Sequence, residues 1–105
     1  MGIKIDSKIN SSNIFWDVSI EGELDVSTAE KLKEYLHDLV GKNMVDLKIN
    51  LEKLDYIDST GLGVMIGVLK KLKIEEKEIY IINPKDNVRK IFNITGLDKI
   101  FNMEG

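Results

Sequence analysis

The spacing of apolar residues changes from two to three or four in the middle of the chain, and this change constrains the fold most. Before it, alternation with polar residues typical of a strand with one buried face runs through Val45, Leu47, Ile49 and Leu51. After Ile57-Asp58-Ser59, spacing typical of an amphipathic helix runs through Leu62, Met65, Ile66, Leu69 and Leu72. A strand that leads directly into a helix predicts an α/β fold with parallel strands joined by right-handed crossovers.

The N-terminal part of the chain predicts two further strands. Ile3 and Ile5 alternate with polar residues, and after a polar stretch the alternation returns in Ile14, Trp16, Val18 and Ile20. These two strands are close enough in sequence to pair as an antiparallel hairpin, with Trp16 in the core or in semi-exposed packing. Gly22 is expected to end the second strand.

Helix signals follow this hairpin and recur near the C-terminus. Ser27-Thr28-Ala29-Glu30 matches a capping box, and Gly41 offers a left-handed stop for the helix that it begins. One buried face is predicted for Ala29, Leu32, Leu36, Leu39 and Val40. Residues 79–82 are apolar throughout, which is typical of a strand buried on both faces. A last helix is expected from about Asp86 to Gly96, which is its stop signal. The tail after it is too short to assign.

Together these elements predict one α/β domain over residues 1–105. We expect a mixed, mostly parallel sheet of four to five strands, with the N-terminal antiparallel hairpin at its edge and helices mainly on one face. A chain of 105 residues has the usual size of a single domain. Because it contains no cysteine, disulfides, thiolate metal sites and thiol catalysis are excluded.

Composition also narrows the functional classes. The net charge of −3 and the interleaving of Lys with Glu give no basic field, so we expect no nucleic-acid partner. The beginning of the chain lacks the pattern of a secretory signal, and no apolar run is long enough to span a membrane, so a cytoplasmic location without membrane attachment is expected. No nucleotide-binding loop, nucleophile elbow or metalloprotease motif is present, which predicts a protein without catalytic activity or cofactor.

Isolated polar residues give weak support for chemistry. His37 is the only histidine, so a zinc site is improbable and a surface or packing role is expected. Asp55 and Asp58 are a possible carboxylate pair for metal or acid–base work, but their spacing at a turn does not fix their separation.

The segment Asp58-Ser59-Thr60-Gly61-Leu62-Gly63 is the most unusual in the sequence, and two interpretations apply to it. In the structural one, Asp58 or Ser59 is a helix N-cap and the glycines permit tight packing of the helix on the sheet. In the functional one, the turn exposes the Ser59 hydroxyl at a helix N-terminus, where free N–H groups and the helix dipole favour an anion such as a phosphate. Glycines at 61, 63 and 67 cost helix stability, which suggests close approach or a bare surface.

This segment resembles the signature of STAS domains, in particular the bacterial anti-sigma-factor antagonists. Other segments resemble the family in the same order, namely residues 22–25, 46–51 and 92–97. The resemblance implies that Ser59 is phosphorylated by a partner that is both an anti-sigma factor and a serine kinase, and that a serine phosphatase reverses this. It also implies that Asp25 and Asp58 contribute to partner contact or to phosphorylation. The implied partner-binding residues are Asp25, Asp58, Ser59, Thr60, Gly61, Leu62 and Gly63.

The sequence leaves three alternatives open. Thr60 stands where many members of the family have a second serine and is a minor alternative acceptor. The family also contains modules that are never phosphorylated and act only as docking or scaffold units of regulatory or transport complexes. An aspartate-phosphorylated receiver-like domain or a small-molecule-binding domain is disfavoured, since a receiver needs a helix before its second strand and this sequence has a hairpin there. The sequence does not identify the sigma factor or the oligomeric state.

Overall fold

A computed structural model describes residues 2–105, and its elements alternate between strands and helices. The strands are β1 (Ile3–Ile9), β2 (Phe15–Leu24), β3 (Asp46–Asn50), β4 (Leu54–Ile57), β5 (Ile79–Ile82) and β6 (Asn102–Glu104). The helices are α1 (Ala29–Lys42), α2 (Ser59–Ile74) and α3 (Asp86–Ile94), followed by a short 3₁₀ helix at Leu97–Lys99. The predicted hairpin, central strands and three helices are confirmed.

The strands form one six-stranded sheet in the order β1-β2-β3-β5-β6, with β4 also paired to β2. β1 and β2 are antiparallel, and the other pairs are parallel. β3 pairs with the first half of β2 and β4 with its end, so both lie along the same side of β2. The predicted fold class is confirmed, and β4 and β6 are strands beyond those assigned from the sequence.

The sheet has one covered face and one open face, as the alternation in β2 and β3 predicts. Val18 and Ile49 are buried, whereas Ser19 is exposed and Lys48 is half-buried on the opposite side. The prediction that residues 79–82 are buried on both faces was wrong. Tyr80 and Ile82 are only half-buried because they lie on the same open face of the sheet as Lys48, the pairing partner of Tyr80.

Gly22 does not end β2, contrary to prediction, and the strand continues to Leu24. Its φ of 113° and a register shift between Gly22 and Glu23 mark a β-bulge in the pairing with β4. The Gly2 carbonyl approaches the position that a Cβ of residue 22 would occupy. Glycine is therefore required here by both backbone conformation and close approach.

The predicted capping box of α1 was also wrong. The N-cap is Thr28, and its side chain does not cap the helix because its hydroxyl donates to the Glu23 carbonyl at 2.9 Å. Ser27 donates its hydroxyl to Asp25 at 2.6 Å instead of capping the helix. Gly41 lies inside the last turn, and the helix ends one residue later at Lys42.

The C-terminal segment closes the core. Gly96 has the left-handed φ of 76°, which confirms it as the stop signal after α3. Beyond it, Phe101 is buried and packs edge-to-face on Phe92, with ring centroids 5.4 Å apart. This contact holds the tail that leads into β6. Trp16 is buried in the core, one of its two predicted placements, and donates its indole N–H to the Asn43 carbonyl at 3.2 Å.

Candidate functional site

The candidate site lies where β2 and β4 end side by side. Leu24 and Ile57 are paired in parallel strands, so the next residues, Asp25 and Asp58, leave the same edge of the sheet. The Asp58 N–H donates to the Leu24 carbonyl at 3.2 Å and extends this pairing by one step. The structure therefore places two acidic residues that are 33 positions apart in sequence at the ends of neighbouring strands.

Asp58 is the N-cap of α2, as one of the two interpretations of the sequence predicts. Its carboxylate accepts a hydrogen bond from the Gly61 N–H at 3.1 Å, and its carbonyl accepts from the Leu62 N–H at 3.0 Å. The N–H groups of Ser59 and Thr60 belong to the first helical turn, where no intrahelical acceptor exists. Both side chains are exposed. The Ser59 hydroxyl therefore lies in solvent at the positive end of the helix dipole.

Gly61 is required by packing and not by conformational freedom. A Cβ at this position would lie 2.5 Å from Cγ of Leu24 and 2.8 Å from its Cδ2. Leu24 is fully buried, and the following residue, Leu62, is only 6% exposed. Gly61 and Leu62, two of the predicted partner-binding residues, thus face the interior and position the turn from below.

Gly63 and Gly67 behave in the opposite way. Both are exposed, and a Cβ built at either glycine would meet nothing within 4 Å. They lie one helical turn apart on the side of α2 that faces α1, in an open groove that extends to Thr60, the residue after Ser59. The α1–α2 groove is lined by Ala29, Glu30, Lys33, His37, Thr60, Gly63, Val64 and Gly67.

Sequence reasoning pointed to the three glycines but not to the α1 side of this groove. Glu30, Lys33 and His37 recur at three-to-four spacing, which places them on one side of α1 next to its buried face. That spacing could have indicated from the sequence that the three residues share one side of α1. The groove also depends on the packing of α1 beside α2, which the sequence does not predict.

Asp25 organises the loop between β2 and α1. Its carboxylate accepts hydrogen bonds from the Ser27 hydroxyl at 2.6 Å and the Ser27 N–H at 2.9 Å. The Ser27 hydroxyl, followed by the Ser27 N–H, lowers the pKa of the Asp25 carboxyl below its ordinary value of 3.8. Asp25 therefore carries a negative charge at neutral pH. It lies beside the end of β4, the strand that leads to Asp58.

The other polar residues considered from the sequence are placed apart from this arrangement. The Asp55 carboxylate forms an ion pair with Lys85 at 2.7 Å, whereas the Asp58 carboxylate caps α2, so the two serve different partners. Within residues 2–105, no cluster of His, Asp and Glu side chains has the arrangement of a metal site. Over the same residues, no helix combines the length and apolar character needed to cross a bilayer.

Known proteins resemble this chain over nearly its whole length. An anti-sigma-B factor antagonist of Staphylococcus aureus is 36% identical over 101 residues, which cover 96% of this chain and 94% of that protein. The crystal structure of an anti-sigma factor antagonist from Mycobacterium paratuberculosis is 25% identical with a TM-score of 0.79, covering 96% of this chain and 86% of the other.

The phosphorylated form of the Bacillus cell fate determinant SpoIIAA has the same fold, with a TM-score of 0.73 at 22% identity and coverage of 95% of this chain and 90% of the other. The family model for the STAS domain matches residues 5–105. The match to the family model includes every element from β2 to β6 and the whole Ser59 turn. The chain therefore belongs to the STAS domain family.

Proposed function

We propose that this chain is an anti-sigma factor antagonist that binds an anti-sigma factor with serine kinase activity and is switched off by phosphorylation of Ser59. Binding releases the sigma factor, and a serine phosphatase restores the active form. The observation that carries the proposal is the exposed Ser59 side chain at the N-terminus of α2, next to Thr60, which lines the α1–α2 groove. The identity of 36% to an anti-sigma-B factor antagonist supports the same function.

The groove supplies a surface for the partner. Its floor carries no side chain at Gly63 and Gly67, so an apolar side chain of a partner can approach the α2 backbone closely. Its rim carries both signs of charge, with Glu30 and Lys33 on α1. Such a combination fits a protein surface with its own mixed charges better than a polyanion or an apolar ligand.

Phosphorylation would change the charge of this surface strongly. A phosphoserine adds about −1.5 to −2 charges at pH 7, next to Asp58 and near the charged Asp25. A like-charge contact at about 4 Å is worth roughly 4 kcal/mol at an effective dielectric of about 20, before screening by salt. A hundredfold loss of affinity requires only about 2.8 kcal/mol, so one phosphate against an acidic or closely packed partner surface is sufficient for release.

The fold is expected to survive this modification. The side chain of residue 59 points into solvent. The N–H groups of Ser59 and Thr60, which have no intrahelical acceptor, can donate hydrogen bonds to a phosphate oxygen. Phosphorylation therefore acts on the interface while the domain remains folded. Circular dichroism and thermal melting of the phosphorylated protein check this directly, since loss of the cooperative transition would contradict it.

The decisive experiment combines the purified protein with the anti-sigma factor kinase of the same cell and ATP. Mass spectrometry locates the phosphate, and calorimetry compares the affinities of the two forms. We expect phosphate on Ser59 and an affinity at least a hundredfold lower after modification. Ser59→Ala should bind the kinase and resist modification, and Thr60→Ala, its matched control, should be modified like the wild type.

A second candidate is the docking module that never receives a phosphate. It predicts unchanged binding after incubation with kinase and ATP, and no phosphate on Ser59 or Thr60. Phosphate on Thr60 alone would place the switch on the neighbouring hydroxyl. Failure of the chain to bind any anti-sigma factor kinase would refute the proposed function itself.

A further inference from the structure

Within residues 2–105, β1 forms one edge of the sheet, and β2 is its only pairing partner. At its two ends, the Gly2 carbonyl accepts from the Glu23 N–H at 3.3 Å and the Asn10 N–H donates to the Phe15 carbonyl at 3.0 Å. Because the direction of backbone hydrogen bonding alternates along an antiparallel strand, even-numbered residues of β1 face β2. The backbone groups of Ile5, Ser7 and Ile9 therefore point away from the sheet, along a free edge.

The exposed side chains of this edge alternate in charge. Lys4, Asp6 and Lys8 lie on the open face of the sheet, and all three are exposed. The ion pairs formed within residues 2–105 are Lys73 with Glu78 and Lys85 with Asp55, so none of the three β1 charges is paired there. A row of lysines alone would repel a second copy, whereas a row of alternating sign complements its own antiparallel copy.

Only some registers of self-pairing match these charges. A two-fold axis at Asp6 would place Asp6 opposite its own copy and Lys4 opposite Lys8, which brings like charges together. An axis at Ile5 would match Lys4 with Asp6, but it needs the Ile3 carbonyl, which already accepts a hydrogen bond from Lys31 Nζ at 2.9 Å. An axis at Ser7 matches Asp6 with Lys8 twice and leaves Ile3 and Lys31 undisturbed.

We propose that two copies of this chain pair through β1, antiparallel, around a two-fold axis at Ser7. Ser7 would exchange backbone hydrogen bonds with its own copy, and Ile5 with Ile9 of the second copy. Asp6 and Lys8 would face each other as non-hydrogen-bonded pairs, in which antiparallel strands bring side chains closest. On the helix side, the half-buried side chains of Ile5 and Ile9 would cover each other. The two sheets would become one continuous sheet.

This contact is distant from the Ser59 turn. Ser7 is opposite Val18, six residues before Leu24 on β2, which corresponds to roughly 20 Å along the strand. Pairing would therefore leave both Ser59 turns free, and the inference stands independently of the proposed function. Because few residues take part, the dimer is expected to be weak and concentration-dependent.

Sedimentation velocity over a range reaching about 1 mM tests the pairing, since ~1 mM corresponds to a weak but measurable affinity. The apparent mass should rise from 11.9 kDa towards twice that value. Asp6→Lys alone and Lys8→Asp alone should each weaken the dimer at least tenfold. In either variant, residue 6 of each copy has the same charge as the opposed residue 8 of the other copy. An equimolar mixture of the two variants should dimerise again, since every opposed pair then has opposite charges.

Circular dichroism should first show that both variants are folded, because Lys8→Asp places a carboxylate opposite Asp17 within the chain. A wild type of constant mass, or a mixture that stays monomeric, would overturn the proposal. The register has its own test, because the chain has no cysteine. Ser7→Cys should form a disulfide dimer under mild oxidation, since residues opposed in a hydrogen-bonded pair are about 5.5 Å apart at Cα. Cross-linking of Ile5→Cys in place of Ser7→Cys would overturn the assigned axis.

Discussion

The glycines of α2 should respond to alanine in opposite directions. Gly67 is exposed in the middle of the helix and its added Cβ meets nothing, so Gly67→Ala should gain the helix propensity of alanine, about 1 kcal/mol in the free energy of unfolding. At Gly61 the new Cβ would lie 2.5 Å from Cγ of the fully buried Leu24. Overpacking of this kind costs roughly 1–3 kcal/mol, and Gly61→Ala should therefore be destabilising overall.

Urea denaturation followed by circular dichroism measures both changes. With a slope of about 1–3 kcal/mol per molar urea, the midpoint should rise by roughly 0.5 M for Gly67→Ala and fall by a similar or larger amount for Gly61→Ala. Each kcal/mol should also move the melting temperature by about 4–8 °C. A destabilised Gly67→Ala, or a Gly61→Ala of unchanged stability, would refute the packing argument.

The same variants separate folding from binding. Glycine at position 67 does not stabilise the fold, so folding alone does not explain why the α1–α2 groove lacks a side chain there. Binding of the proposed partner at this groove does explain it. Gly67→Ala should therefore be more stable than the wild type and yet bind the anti-sigma factor less tightly. Stability gained together with unchanged affinity would exclude this part of the groove from the partner surface.

Three further changes test the turn and its surroundings. Asp58→Ala removes the α2 cap and should lower the free energy of unfolding by about 0.5–2 kcal/mol in urea denaturation, with Asp58→Asn, which keeps an acceptor oxygen, closer to wild type. Because the pKa of Asp25 is lowered on folding, its stabilisation is present above 3.8 and lost as the pH falls through the folded-state pKa, so Asp25→Asn should flatten the stability profile in that acidic range. Lys85→Ala and Asp55→Ala, combined in a double-mutant cycle, should show a coupling of roughly 0.2–1 kcal/mol, since both side chains are largely exposed.

Much of the fold follows from local patterns. The change of period around Ser59 predicted the strand-to-helix transition, because burial against a sheet selects alternate residues and burial of a helix selects every third or fourth. Asp58 was one of two candidate caps, and the structure selects it because its carboxylate reaches the Gly61 N–H. Gly96 was identified as a stop signal because a left-handed residue after a helix favours glycine so strongly.

The errors have two different causes. The capping box at Ser27 failed because of a local competitor, since Asp25, two residues earlier at the end of β2, accepts the Ser27 hydroxyl and N–H. Gly22 has the appearance of a strand end, but its bulge depends on the pairing of β2 with both β1 and β4. Long-range strand pairings of this kind are not visible in the spacing of residues. Local propensity alone therefore assigned Gly22 to the end of a strand.

The construction of the Ser59 turn limits how a phosphate can act on it. Three contacts hold residues 58–61 in place: the Asp58 N–H donates to the Leu24 carbonyl, the Gly61 N–H donates to the Asp58 carboxylate, and Gly61 packs directly on Leu24. Moving the turn would break all three together, whereas Ser59 itself takes part in none of them. A phosphate there should therefore act through its charge and bulk at the surface and not by rearranging the domain. Because glutamate carries one charge where phosphoserine carries nearly two, Ser59→Glu should reproduce only part of the loss of binding.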